Sequence, residues 1–374
     1  MNPVIAEFSM NTPYGLEIAA CWDGLIDGES RIGVAERFDR GSFVSNRAAL
    51  VPEVGGQERS RLMGILVPVL ERIEPAVPAD ASVLLATTTG EIDLLERSIA
   101  EDGPSAERSR PSRLLESVRE LTGADGSGAV VSCACASSTA ALARAAGRIR
   151  DGRDDAVLVV GCDAASEFVY AGFSTLMALS PEPARPFDED RDGLTLGEAA
   201  VAALLLSPER ASREDRTVLA EIAGTALTCD ANHMTGPSRD GEGLARAITQ
   251  ALDEADVAPD EIAFISAHGT GTVYNDAMEM KAFRHVFDEP VPAHSIKGGT
   301  GHTMGAAGLL EVLVAGESRR QGVVPPTVGL GRPDELAAGW VSGQTVSVPP
   351  DNPALCVNSG FGGVNAAVVL GDSS

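Results

Sequence analysis

The sequence predicts an α/β protein in two parts. Apolar runs of strand length alternate with helical patterns along the chain, the arrangement that builds layered α/β folds with largely parallel sheets. Its 374 residues are more than one small core needs, so two domains or one large two-part fold are expected. The polar, charged segment 207–217 (SPERASREDRT) separates two stretches that each hold several strands and helices. We place the division there, with an N-terminal half of 1–212 and a C-terminal half of 213–374.

Taken in order, ASVLLAT at 81–87 reads as a strand, followed by a second at 129–133. Residues 137–150 form an alanine-rich helix, closed by Asp151-Gly152 as a C-terminal stop. AVLVVG at 156–161 and AAVAALLL at 199–206 are uninterrupted apolar runs, as buried strands require. A helix follows at 243–256, a strand at 262–267 (IAFISA), and a helix at 275–287 with Asn275-Asp276 as its N-cap. Strands at 354–358 and 365–370 end the pattern. Segments 98–113 and 331–335 read as surface loops. Aromatics are only 4% of the chain, so Ala, Val, Leu and Ile must build the core.

Composition narrows the function classes. Asp plus Glu number 54 against 29 Lys plus Arg, a formal charge of −25. Such a chain repels nucleic acid and anionic membranes. No run reaches the roughly 18 apolar residues of a membrane span, and the first residues lack a signal-peptide pattern. The six cysteines form no CxxC pair, so reduced thiols in the cytoplasm are expected. The five histidines show no ligand spacing with the cysteines, so no metal is expected. Only two of the 29 cations are lysines, Lys281 and Lys297.

Four constellations could carry chemistry. In AVVSCACASSTAAL a strand runs into a helix, with Cys135 at the turn. Unpaired N–H groups and the positive helix end favour a thiolate there. A buried packing cysteine fits equally well. In AHGTGTVYNDAMEM, His268 lies at a strand-to-loop edge, where α/β sheets place their sites, though by itself the motif reads more readily as a loop histidine with two solvated acids. Asp276 and Glu279 share a helix face at i and i+3. In SIKGGTGHTMGAAG, Lys297 and His302 flank a glycine-rich turn that is neither GxxxxGK[ST] nor GxGxxG; they could reach one cavity, but alone the motif reads more readily as a tight turn with both side chains solvated. In CVNSGFGGVNAAVV, a glycine loop could press its N–H groups against a ligand. His233 has a weaker claim. His285 reads as a surface residue and His294 as a satisfied or exposed loop residue. Cys133, Cys162, Cys229 and Cys356 read as packing residues.

Taken together, VSCACASS, the segment GCDAASEFVYAGFSTLMALSPEPARPFDEDRDGLTLGEAA, DANHMTGPSRDGEG, AHGTGTVYNDAMEM, KGGTGHTMGAAG and NSGFGGVNA resemble, in this order, the β-ketoacyl-acyl-carrier-protein synthases. These are the elongating condensing enzymes of fatty-acid and type II polyketide synthesis. The resemblance covers most of the chain. It implies the thiolase fold, two similar α/β halves in five layers, and a dimer. It implies a nucleophilic Cys135 and two histidines, His268 and His302, that bind the malonyl thioester carbonyl and promote decarboxylation. Lys297 would position His302, and Asp276 and Glu279 would form a supporting acidic network. Thr270 and Thr272 would line the phosphopantetheine channel. The N–H groups of Cys135 and Phe361 would form the acyl oxyanion hole, with Phe361, Gly360 and Ser359 in the gate loop.

No dissociable cofactor is implied, since substrates arrive on the phosphopantetheine of an acyl carrier protein. The partner would be that carrier protein, with a second copy or a chain-length-factor-like subunit completing the dimer. The chain departs from the family pattern in its short region before the nucleophile and in an N-terminal strand without the usual glycine. Gly298 and Ala199 depart as well, and Ser359 replaces a Phe of the late loop, which leans towards a specialised pathway. Two other readings use the same residues: an acyltransferase that loads Cys135 without condensing, and a chain-length partner subunit. A carrier protein is acidic, so a local cationic dock is expected at Arg59 and Arg61, or at Arg144, Arg148, Arg150 and Arg153.

Overall fold

The computed structural model describes residues 2–37, 43–52, 60–101 and 106–371. An eleven-stranded mixed sheet runs through the molecule. Its main strands, in chain order, are β1 (Val4–Thr12), β2 (Ser82–Ala86), β3 (Gly128–Val131), β4 (Ala156–Asp163), β5 (Ala199–Leu206), β6 (Ala220–Cys229), β7 (Phe264–Ser266), β8 (Ala293–His294), β9 (Ala354–Gly360) and β10 (Val364–Gly371). They lie in the order β8-β7-β9-β10-β6-β1-β5-β4-β2-β3. Within the sheet, the halves meet where β1 pairs with β6, through Val4↔Glu221 and Ile5↔Ala220.

Strand parity divides the interior into layers. In β2, β4 and β5, alternate side chains turn to opposite faces. Leu84, Val157, Val159, Val201 and Leu205 enter a central core. Val83, Leu85, Leu158, Val160 and Leu204 enter an outer one on the first half. The second half repeats this: Phe264, Cys356 and Val368 face the centre, while Ile265, Leu355, Val357 and Val369 face outward. Helix α1 (Ser137–Arg150) and helix α2 (Ala307–Gln321) pack on each other in the middle and touch strands of both halves. Arg61–Ile73 covers the outer face of the first half, and Glu242–Ala255 that of the second. Helix, sheet, helix, sheet, helix is the five-layer order the resemblance implied.

Several expectations change. Helix α2 was not anticipated, because it is buried on nearly every face and so carries no amphipathic period. β1 and β6, which join the halves, also escaped notice. Segment 98–113 is not one loop: a helix runs over Ile92–Glu101, and another starts at Pro111. The linking segment 207–217 contains a short helix, Pro208–Arg213, capped by Ser207. The helix expected at 275–287 begins earlier, at Val273 with Thr272 as N-cap. Asp276 does not cap it, because its carboxylate turns back onto the preceding loop.

Candidate active site

Cys135 occupies a strained turn between β3 and α1. Ala134 lies at φ 49°, a conformation that non-glycine residues rarely adopt. Ser137 fixes it: its hydroxyl accepts from Cys133 N (2.9 Å) and donates to Ala134 O (2.5 Å). The gate loop presses from the other side. A Cβ on Gly360 would stand 3.0 Å from Cys133 O and 3.2 Å from Cys135 N. Only a glycine lets the β9 end approach so closely. The Phe361 N–H donates towards the Cys135 sulfur, and the Phe361 ring lies 5.5 Å from the Phe173 ring. Ser359 is not turned to the sulfur; its hydroxyl donates to Asn365 Oδ1 at 2.8 Å.

The thiolate that the helix end favours is opposed by burial. Burial pushes the Cys135 thiol up to about 12, against the opposing charge of Lys297 and the Phe361 N–H. Desolvation outweighs a partial charge from one helix terminus.

His268 follows β7, on a loop held by two buried carboxylates. The N–H groups of His268 and Gly269 each donate to Glu279 at 2.7 Å. Those of Thr270 and Gly271 donate to Asp276 at 3.0 and 3.1 Å. Four successive amides thus bind an i, i+3 acidic pair, which gives Asp276 and Glu279 a concrete task. Burial and the charge of Asp276 raise Glu279 to about 8.

The His268 ring has a defined tautomer. Its Nδ1 faces Lys297 Nζ (3.3 Å) and Asn358 Nδ2 (3.2 Å). Both neighbours are donors, so Nδ1 accepts and Nε2 carries the proton. Burial, Lys297 and His302 hold the ring well below the usual imidazole pKa, hence neutral.

Lys297 does not position His302 as expected. It donates to His268 O and to Glu311, and its Nζ lies beside His268 Nδ1. The helical turn Lys297–Thr300 ends at Gly301 (φ 65°), where the chain changes direction before His302. His302 is tied by its backbone instead: its N–H donates to Thr195 O at 2.7 Å, and its carbonyl accepts from Gly197 N at 2.9 Å. The two imidazoles meet edge to face, with centroids 5.2 Å apart.

Sequence reasoning missed Glu311 and Asn358. Asn358 Nδ2 also donates to Glu311 Oε2 at 2.6 Å, and Thr139 of α1 donates to Asn358 Oδ1. A lone acid inside the apolar run AAGLLEVLVAG was the available signal for Glu311, since an unpaired charge would not be buried there.

Donor atoms of Cys135, His268 and His302 all lie within 4.8 Å of one another. They form the floor of a cavity of about 880 Å³. The same three atoms are the ones among the described residues that could share a metal ion, a use that competes with nucleophilic chemistry. Thr270 and Thr272 line the wall, and Tyr274, Met177 and Arg239 the mouth. Of the remaining candidates, His233 lines the same cavity. His233 is exposed and accepts from Thr235 N and Gly236 N, and His285 is on the surface as expected. His294 is not a satisfied or exposed residue; it is buried, and neither ring nitrogen has a hydrogen-bond partner among the described residues. Cys229, expected to pack, is exposed at the end of β6.

The expected cationic dock also shifts. Arg59 lies outside the described residues. Arg61 turns inward onto buried Glu198, at 2.5 Å. Arg148, Arg150 and Arg153 pair with Asp154, Glu254 and Asp151.

Comparisons with known proteins bear on all of this. The family model "Beta-ketoacyl synthase, N-terminal domain" matches residues 116–211, and "Beta-ketoacyl synthase, C-terminal domain" matches 219–331. The chain is 30% identical to 3-oxoacyl-[acyl-carrier-protein] synthase 2 of Vibrio cholerae over 98% of both chains. It is 32% identical to the tetracenomycin polyketide synthase ketoacyl synthase alpha subunit of Streptomyces glaucescens, over 98% of this chain and 96% of that one. Among solved structures, the ishigamide ketosynthase/chain length factor superposes with a TM-score of 0.91 and 31% identity, covering 100% and 99% of the two chains. A type II polyketide ketosynthase solved with its acyl-carrier protein gives 0.89 and 27%, covering 99% and 98%.

Proposed function

The chain belongs to the β-ketoacyl synthase family, and on that premise we propose how its own residues perform decarboxylative condensation. The observation that carries the assignment is the grouping of the Cys135 sulfur with His268 and His302 at the floor of one open cavity. The half 1–212 supplies the nucleophile, and the half 213–374 the imidazoles and the lysine.

In the first step the Cys135 sulfur attacks the thioester carbonyl of a carrier-bound acyl chain. The S–C bond forms, and the phosphopantetheine thiol leaves with the proton. The N–H groups of Cys135 and Phe361 bear the developing oxyanion. The buried thiol ionises only as it attacks, with the Lys297 charge and the Phe361 N–H favouring proton loss.

In the second step a malonyl thioester enters along Thr270 and Thr272. Its carbonyl oxygen accepts from the His268 Nε2–H and from His302. Loss of carbon dioxide leaves the electron pair as an enolate, whose oxygen the two neutral donors stabilise. Lys297 keeps His268 in the donating tautomer. The enolate carbon then attacks the acyl-Cys135 carbonyl, the sulfur leaves, and the thiol regains a proton. Every step is assigned to this chain's side chains and to carrier-bound thioesters, without a dissociable cofactor.

An acyl carrier protein is the partner that delivers both substrates, and we place the enzyme in the cytoplasm, as a homodimer or beside a chain-length-factor-like subunit. No helix among the described residues is long and apolar enough to cross a membrane. Exposed Met177, Met234 and Tyr274 stand at or beside the cavity mouth. Arg239 stacks over Tyr274 at 4.7 Å, and neither it nor Lys281 meets a carboxylate among the described residues. This edge, rather than Arg59 and Arg61, suits an acidic carrier protein. Ser359 carries the lean towards a specialised pathway.

The test is incubation with acyl- and malonyl-carrier protein. Wild type should acylate one cysteine, release carbon dioxide and yield a β-ketoacyl product. Cys135→Ala should form neither adduct nor product. Acyl turnover without carbon dioxide release would favour the non-condensing acyltransferase.

A further inference from the structure

We infer that Asp163 is a positioning residue for His302, an assignment that rests on the reading of the site just given. Asp163 ends β4, is fully buried, and has no part in the chemistry described above. Its carboxylate accepts from two loops of different halves. From the end of β2 come Thr87 Oγ1 (2.7 Å), Thr88 N (2.9 Å) and Thr88 Oγ1 (2.8 Å). From the turn that carries His302 comes Gly305 N, at 2.7 Å.

The two histidines are held differently. His268 has two donors on its ring. His302 Nδ1 has no hydrogen-bond partner among the described residues, so the backbone must place that imidazole. On one side, His302 is bonded to Thr195 and Gly197. On the other, Met304 sits at φ 52°, which persists only where the surroundings over-determine it. The Gly305–Asp163 hydrogen bond directly after Met304 supplies that constraint. The fit is close: a Cβ on Gly305 would stand 2.6 Å from Asp163 Oδ2 and 3.0 Å from Thr87 Cα. Gly161, two residues before Asp163, lies close as well: a Cβ there would stand 3.1 Å from Ser138 Cβ and 3.3 Å from Ala306 Cα. The end of β4 is thus a socket in the first half that registers the second-half turn bearing His302.

An Asp163→Asn side chain must present an N–H group to one of the two donor loops, whichever way the amide lies. A shift of about an ångström at the imidazole should then slow malonyl decarboxylation about 10- to 100-fold. Acylation of Cys135, which does not use His302 as a carbonyl donor, should stay near wild type. Gly305→Ala should show the same split. In the double variant the losses should fall short of additive, because both changes break one contact. The crystal structure of Asp163→Asn should show the His302 ring displaced from its 4.8 Å grouping with Cys135 and His268. Equal loss in both half-reactions, unchanged decarboxylation, or an undisplaced ring would overturn the assignment. Should Asp163→Asn not fold, Gly305→Ala carries the same readouts. A wild type that released no carbon dioxide would instead sink the condensing reading, and the ring position would still decide the role of Asp163.

Discussion

Lys297 rests its ammonium 3.3 Å from Nδ1 of His268, not against His302. Because that nitrogen also faces Asn358, the lysine and the amide together select which proton the imidazole offers to the cavity. The buried ammonium and Glu311 compensate each other, so the charge that sets the tautomer is affordable inside the protein only as part of a pair.

Lys297→Ala should therefore act through His268. Decarboxylation should fall by about 10²–10³, the cost of losing one well-placed oxyanion donor, and more than Cys135 acylation does. The lysine charge also holds the His268 pKa down. Removing it should move the acid limb of the decarboxylation profile to higher pH. Equal losses in loading and decarboxylation, measured by intact-protein mass and carbon dioxide release, would contradict this.

The state of the nucleophile can be read by alkylation. With the Cys135 thiol pushed up to about 12, iodoacetamide labelling should keep accelerating to pH 10. A plateau near neutrality would mean that the thiolate is stabilised after all.

His294 predicts acid sensitivity. Burial depresses its folded-state pKa to about 4, below an unfolded value of about 6.5. The neutral form is the one that folds, so this contribution is present above pH 6.5 and is lost as pH falls towards 4. The difference amounts to roughly 3 kcal/mol. His294→Leu should flatten the fall in Tm between pH 6.5 and 4; an unchanged slope would assign the acid response elsewhere.

Asn358 joins Thr139, Glu311 and His268. Asn358→Ala leaves a buried carboxylate oxygen and a hydroxyl without their partner, at a cost of about 1–3 kcal/mol. Denaturant unfolding should show that loss as a lower midpoint at unchanged m-value, together with slower decarboxylation. Full stability would mean that water replaces the amide.

Much of the fold and site was legible because local patterns report local facts. Unbroken apolar runs announce strands buried on both faces, as β4 and β5 are. The i, i+3 spacing puts Asp276 and Glu279 on one helix face. A cysteine between strand and helix, and glycines at the late loop, mark close backbone approaches. Packing decided the rest. Lys297 and His302 are five residues apart, yet Gly301 sends them to different partners. Glu311 and Asn358 acquire meaning only when α2 and β9 converge on His268. Burial raises the Cys135 thiol, and burial belongs to the assembled layers. Sequence spacing governs which side chains share an element; distances and desolvation between elements arise only once the chain has closed on itself.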